Sequence, residues 1–310
     1  MRATIPRMSS PLTFSTVAML TLAPLLWAGN AIVGRLVHDL ISPFTLNLIR
    51  WCLAFVVLLP VAGYVLRKNS AMWQCWKQYA WLGMLGIGSY NGLLYLALKT
   101  SSPINVTLVS SSMPIWMLVI GRVWFGISVN SRQITGALLS VLGVAVVLSR
   151  GDAQQLLGLH LVPGDWFMLL ATIVWSIYSW LLARSGQTMP GQADIRGNWA
   201  AFLMAQMVFG IGWSAVLVGG EAAAGDFVFT PNGTLAAALL FIVLGPAIAA
   251  YRFWGEGVKR AGPATAGFFG NLIPLFTALL SIAVLGEAPQ LYHALAFALI
   301  VGGIIVSSRR

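Results

Sequence analysis

Charge is scarce in this chain. Only 8% of its residues are Asp, Glu, Lys or Arg, and 58% are hydrophobic. A soluble protein is about a quarter charged, so this chain cannot cover a water-facing surface. Carboxylates are rarest. Asp39, Asp152, Asp165, Asp194, Glu221, Asp226, Glu256 and Glu287 all fall in loops or at the ends of apolar stretches. No mid-membrane relay of carboxylates passing protons is therefore visible. Of the three histidines, only His293 enters an apolar stretch, near its start, where a structural role is expected. Cys52 and Cys75 are too few for a disulfide framework. No metal-ligand cluster is spelled out, so no metal and no cofactor are expected. A Gly-rich phosphate loop with its Lys is absent too, which argues against ATP hydrolysis.

What is present is apolar length. A bilayer-spanning helix needs about 20 mostly apolar residues. Ten stretches meet this, roughly 14–35, 44–66, 79–98, 103–125, 133–149, 165–183, 198–218, 234–254, 263–285 and 290–307. Backbone in lipid must pair within its own segment, and the alternation of a membrane barrel is missing, so all ten are expected to be helices. Arg2 and Arg7 ahead of the first stretch imitate a signal peptide, but that stretch is long enough to span and a retained helix is expected.

The net charge of +10 is no sign of nucleic acid, because Lys and Arg sit at the ends of the apolar runs. The expected partner is the lipid bilayer. With the N-terminus inside, the inner connections hold Arg2, Arg7, Arg67, Lys68, Lys77, Arg122, Arg132, Arg184, Arg196, Lys259, Arg260, Arg309 and Arg310. The outer ones hold only Arg35, Lys99 and Arg150. That bias predicts a multi-pass protein with both termini cytoplasmic.

The sequence also repeats itself. A shift of 160 places brings Lys99 onto Lys259, Pro103 onto Pro263, Pro114 onto Pro274, Gly143 onto Gly303 and Arg150 onto Arg310. A shift of 148 places pairs Trp27 with Trp175, Asn30 with Tyr178 and Trp51 with Trp199. Residues 14–149 and 165–307 therefore read as two five-helix units joined by a linker over 150–164, within one membrane domain. Five is odd, so the second copy enters the membrane upside down. The expected fold class is an all-α membrane protein of ten transmembrane helices in two inverted repeats. Such repeats place a small-molecule site near the midplane between them.

Candidate residues follow from depth and spacing. Trp27 and Asn30 are three apart, as are Trp175 and Tyr178, so each pair shares a helix face. Tyr90, Asn91, Tyr95, Ser112, Trp116, Tyr251 and Asn271 add polar-tipped rings and polar groups at depth. Such a set suits an organic solute with an apolar body and a polar head. The plainer reading of the rings is an interfacial belt, which fits Trp73, Trp76, Tyr79 and Trp81 better. Pro114 and Pro274 break their helices at matched positions and are expected hinges. Arg50 lies about two turns inside the second span, where a charge must face a cavity or a partner. Its expected role is gating, carboxylate binding or bracing. Small residues, Gly136, Ser140 and Gly143 in the fifth span and Ala294, Ala298 and Gly302 in the tenth, form close-packing faces. They serve contacts within the fold or a homodimer seam.

At Trp27 to Asn30, Arg50-Trp51, Lys99 with Pro103 and Pro114, and Leu285-Gly286-Glu287, the chain resembles the drug/metabolite transporter superfamily, specifically its ten-helix EamA-type exporters. One departure is Ile127 after Gly126, where the family often carries Glu. The resemblance implies export of amino acids or related metabolites across the bacterial inner membrane by alternating access. The mid-span rings look similar to the YddG-like aromatic amino acid exporters of the family. Rival readings stay open: a carrier of amines, sugars or cationic drugs, an intramembrane enzyme, or a channel. The enzyme needs a base beside Ser110–Ser112, and no mid-span His or Asp supplies one. The channel needs a continuous polar pore.

Overall fold

The computed structural model describes residues 12–101, 103–158, 162–285 and 290–308. The described residues are helical throughout their apolar stretches, and an isolated antiparallel bridge joins Ile41 to Phe229. The helices are α1 (Phe14–Leu36), α2 (Pro43–Ala62), α3 (Trp76–Gly83), α4 (Tyr90–Thr100), α5 (Pro103–Ser110), α6 (Met113–Phe125), α7 (Ser131–Leu148), α8 (Ala153–Leu157), α9 (Pro163–Thr188), α10 (Ala193–Gly197), α11 (Trp199–Ala223), α12 (Gly233–Ile242), α13 (Ala250–Ala261), α14 (Pro263–Gly270), α15 (Leu272–Leu285) and α16 (Leu291–Ser308). Their starts carry the expected caps. Thr13 accepts from the Thr16 amide, and Asn130 and Gln133 form a capping box on α7. Asn198 and Asn232 cap α11 and α12. Gly126 and Gly262, both at positive φ, end α6 and α13.

Among the described residues, nine helices are long and apolar enough to cross a membrane. The third expected span, 79–98, is not one of the nine. It is continuously helical from Trp76 to Thr100, but Tyr79, Ser89, Tyr90, Asn91 and four glycines lower its hydropathy. It crosses in three pieces, α3, a π-helical turn at Met84–Ser89, and α4. The eighth span is built the same way, from α12, a π turn at Val243–Ala249, and α13. Adding 160 carries the first π turn onto residues 244–249 of the second. The fourth and ninth spans are likewise both broken, α5 from α6 at Ser111-Ser112 and α14 from α15 at Asn271.

Packing fixes how the two repeats lie. α7 and α16 form the most extensive helix pair. A methyl on Gly136 would lie 2.6 Å from the carbonyl oxygen of Gly303, and one on Gly143 would lie 3.1 Å from that of Ala296. As one residue number rises the other falls, so the helices run antiparallel. Gly303 is the counterpart of Gly143 and Ala296 that of Gly136, so the two contacts exchange under the repeat. That exchange is the signature of a local two-fold axis, and it makes the repeats inverted. The same swap appears elsewhere. α1 packs on α13 and α15, while its counterpart α9 packs on α4 and α6, and α2 packs on its counterpart α11. Each repeat thus inserts its first helix into the other. The face that carries the start of α1 and the end of α16 is called the near face, and the opposite one the far face.

Candidate functional site

The seam between the repeats is filled at mid-depth by aromatic rings. Trp27 of α1 meets its counterpart Trp175 of α9 edge to face, with ring centroids 5.4 Å apart. Around them stand Tyr90 on α4, Tyr178 on α9, and Tyr251 and Trp254 on α13, each within 5.8 Å of Trp175. Trp51 of α2 closes the set against Tyr251 at 4.8 Å. Three glycines admit large rings, one of them to this region. A methyl on Gly86 would lie 2.5 Å from the Tyr178 ring, and Gly88 and Gly121 are pressed in the same way by Trp213 and Trp180.

The π turns supply the polar half of the plug. A π turn skips a carbonyl where it returns to α-helix. Tyr90 N–H bonds to Leu85 O, passing over Gly86 O, and Ala250 N–H bonds to Gly245 O, passing over Pro246 O. Gly86 and Pro246 are 160 residues apart, so the two released oxygens are counterparts. Each is taken by a ring from the opposite repeat. Tyr251 Oη donates to Gly86 O, and Trp27 Nε1 donates to Pro246 O at 3.3 Å. In a dry seam these donors would otherwise be unpaired, which is costly. The other ring donors are anchored close by: Tyr178 Oη on Gln206 Oε1 at 3.2 Å, Trp254 Nε1 on Ser179 Oγ at 3.3 Å, and Trp180 Nε1 on Met117 O at 2.9 Å.

Both ends of the seam are latched. On the far face Glu221 of α11 is buried and receives Ser42 Oγ at 2.6 Å, Thr45 Oγ1 at 2.9 Å, and the Phe44 and Thr45 amides at 3.1 Å each. It caps α2 from the other repeat, where a carboxylate also meets the helix dipole. Asp165, also buried, receives Ser101 Oγ across the repeats and the Val162 amide at 2.9 Å. The seventh apolar stretch, expected to end near residue 218, is longer here. α11 runs on to Ala223, because the carboxylate is held by four donors and no longer needs water. On the near face Gln192 joins the repeats, donating to Ala71 O at 2.6 Å and accepting from Tyr79 at 3.2 Å.

A hollow of about 410 Å³, open at the surface, lies between α3 and α11, helices of opposite repeats, lined by Trp76, Lys77, Trp81, Met84, Phe209 and Trp213. A crevice from the near face runs between α9, α11 and α13, past Arg252, Glu256 and Lys259, down to Gln206, Tyr178 and Tyr251. Its free space is about 20 Å³, enough for about one water molecule. At mid-depth the space between the repeats is taken up by rings.

The sequence-derived residues fall into two places. Trp27, Tyr90, Trp175, Tyr178 and Tyr251 meet in the plug. Asn91 is buried on α4 beside it, and Asn30 is half-buried on α1 one turn past Trp27, with no hydrogen bond among the described residues. The side chain of Tyr95 and residues Gly286-Glu287 lie outside the described residues. Asn271, Ser112, Pro114 and Pro274 gather instead at the helix breaks. Pro114 stands in the first turn of α6, and the chain breaks at Ser111-Ser112 before it, because a proline has no N–H to offer the carbonyl four residues back, at Ser110, where α5 ends. Ser112 Oγ donates to Val109 O at 2.6 Å, and Asn271 Nδ2 donates to Ser111 O at 3.2 Å and to Ser140 Oγ at 3.0 Å. Trp116 is half-buried on α6 against the main core. Arg252 is exposed with its guanidinium 4.7 Å over the Trp199 ring, and the Gln290 amide donates to His293 at the start of α16. Gln206, Asn47 and the π turns were not singled out by sequence reasoning. The signal for the turns was the Gly86–Pro246 match under the repeat.

Inverted helical repeats, broken helices at matched positions and a ring-lined seam define a membrane transporter of duplicated design. The EamA-like transporter family model matches residues 14–149 and again 162–309, and the chain belongs to that family. Among its relatives are the uncharacterized transporter YyaM of Bacillus subtilis, 24% identical over 78% of this chain and 74% of that one. An uncharacterized transporter of Archaeoglobus fulgidus is 24% identical over 95% and 98%. The aromatic amino acid exporter YddG of Ancylobacter novellus is 25% identical over 76% of each chain. A crystal structure superposes with a TM-score of 0.70 at 22% identity, covering 94% of this chain and 96% of the other.

Proposed function

We propose that this protein exports amino acids or related small metabolites across the bacterial inner membrane by alternating access, with both termini cytoplasmic. The observation that carries the reading is the Trp27–Trp175 pair. Two counterpart rings close the seam at mid-depth, each on a helix inserted into the opposite repeat. Opening toward one face or the other then uses nearly equivalent contacts, which is what alternating access between inverted repeats requires. The units 14–149 and 165–307 are the bodies that rock. The joints at Ser111-Ser112 and Asn271, beside Pro114 and Pro274, are their pivots. The ring-lined wall supports an organic solute with an apolar body, and the exporter named for aromatic amino acids among the relatives supports the amino acid class.

The test is uptake of labelled amino acids into liposomes holding the purified protein. Saturable flux above that of empty liposomes is expected, with phenylalanine, tyrosine or tryptophan among the substrates. No flux across a broad panel of amino acids, amines and sugars would sink the proposal. Flux that rises without saturation would assign a pore instead. Labelling of single cysteines placed on the near-face loops, in intact cells and in inverted vesicles, tests the orientation.

A further inference from the structure

Helix α2 carries three side chains that are buried and yet hold unpaired polar atoms. Arg50 is 4% exposed, Asn47 1% and Trp51 0%. Among the described residues, Arg50 Nε, Trp51 Nε1 and Asn47 Oδ1 have no hydrogen-bond partner. The three residues are spaced i, i+3, i+4, so they share one face of the helix. The amide of Asn47 cannot be turned over to hide its oxygen. Its Nδ2 donates to the backbone carbonyl of Ile87 at 3.3 Å, which accepts only, and to Ser214 Oγ at 3.1 Å. Among the described residues Arg50 has no ion pair and no hydrogen bond. Its contact is with the ring of its neighbour Trp51, 5.4 Å from guanidinium carbon to ring centroid. A charge at this depth that faces neither carboxylate nor carbonyl is costly, and such groups persist where a function uses them.

The orphaned atoms are two donors, one of them cationic, and one acceptor. We propose that Asn47, Arg50 and Trp51 form the binding site for the charged head of the transported solute, with the carboxylate on Arg50 and Trp51 Nε1 and the ammonium on Asn47 Oδ1. The guanidinium is a planar donor group suited to a carboxylate, and the indole N–H adds one donor beside it. The site is reached when Trp51 parts from Tyr251, because that contact links α2 to the ring plug. The apolar body of the solute then takes the place of rings in the plug. This inference rests on the amino acid reading above and names the residues that read the head group.

The experiment uses full-length protein and four probes that share one ring: phenylalanine, phenylalaninamide, phenethylamine and phenylacetate. Thermal stabilisation in detergent reports binding, and competition against labelled phenylalanine in liposomes reports transport. Phenylalanine should stabilise the wild type, phenylacetate less, and the two probes without a carboxylate least. Trp51→Phe keeps the ring and removes the N–H, and Arg50→Lys keeps the charge. Each should raise the half-saturating phenylalanine concentration about 10- to 100-fold, the worth of a hydrogen bond to a charged group, while leaving phenethylamine binding unchanged. Asn47→Asp should favour phenethylamine over phenylacetate. If either Arg50→Lys or Trp51→Phe folds and still prefers phenylalanine to phenylalaninamide by the wild-type ratio, the inference is overturned and the transport reading survives. Carboxylate-dependent stabilisation that needs Arg50, without any flux, supports the site and overturns the transport reading. No stabilisation of the wild type by either carboxylate probe overturns the site, whatever the flux.

Discussion

Asn271 donates its side-chain amide to the backbone carbonyl of Ser111, 3.2 Å away and 160 residues earlier in the chain. That interval is the period of the repeat. The two residues are counterparts, and each sits where its helix breaks. The duplicated chain therefore touches itself at its own axis, joint against joint. A second bond from Asn271 to Ser140 Oγ ties α7 to the same point.

Replacing Asn271 with Leu keeps the volume and removes both bonds, leaving the Ser111 carbonyl buried without that donor. The expected cost is about 1–3 kcal/mol of stability. Thermal unfolding in detergent measures it. Asn271→Asp should be at least as harmful, since a carboxylate cannot donate to a carbonyl.

Trp175 contacts Trp27, Tyr90, Tyr178, Tyr251 and Trp254. Trp175→Ala should cost about 3–5 kcal/mol and leave a hollow where rings now meet. Liposomes holding this variant should leak small solutes that the wild type retains. Trp175→Phe should seal better than Ala.

Much of this arrangement could be read from the chain before any coordinates. The 148-place match of Trp27 with Trp175 pointed to two rings in equivalent places, and the structure puts them in contact. The matched Pro114 and Pro274 pointed to broken helices, and the breaks lie within three residues of them. Other parts were out of reach for physical reasons. A π turn shifts the helix face by one residue, but a span that is apolar nearly all round hides that shift, so little beyond glycine or proline at matched sites marks it. The latch on Glu221 joins residues 179 and 176 positions apart, and a carboxylate near a helix end looks the same whether it meets water or a distant Ser42. That rings fill the seam is a matter of side-chain placement, which spacing along a sequence does not give.

Glu221→Ala should free the N-terminus of α2. The Phe44 and Thr45 amides lose their acceptor, so their hydrogen exchange should quicken while that of α7 is unchanged. A loss of about 1.5–3 kcal/mol is expected from bonds to an ionised group. Glu221→Gln should fall between, because its oxygen still accepts but its charge is gone. Exchange read by mass spectrometry on the peptide spanning residues 42–47 decides this.

The α7–α16 contact makes a sharper test of the two-fold packing. Gly136→Val and Gly303→Val each put methyls against the backbone of the other helix, so each should destabilise by about 1–3 kcal/mol. Gly302, whose Cβ position is open, should tolerate the same change. Unfolding midpoints of the three variants provide the comparison. Equal effects at Gly302 and Gly303 would contradict the antiparallel register.

A barrier built of indoles and phenols has one more property. Most of its donors are already held, by peptide oxygens or by Gln206 and Ser179, and the crevice beside it holds about one water molecule. Hydronium needs a file of water or a ladder of titrating groups to hop along, and this wall offers it neither. A wall of this kind is a poor path for protons.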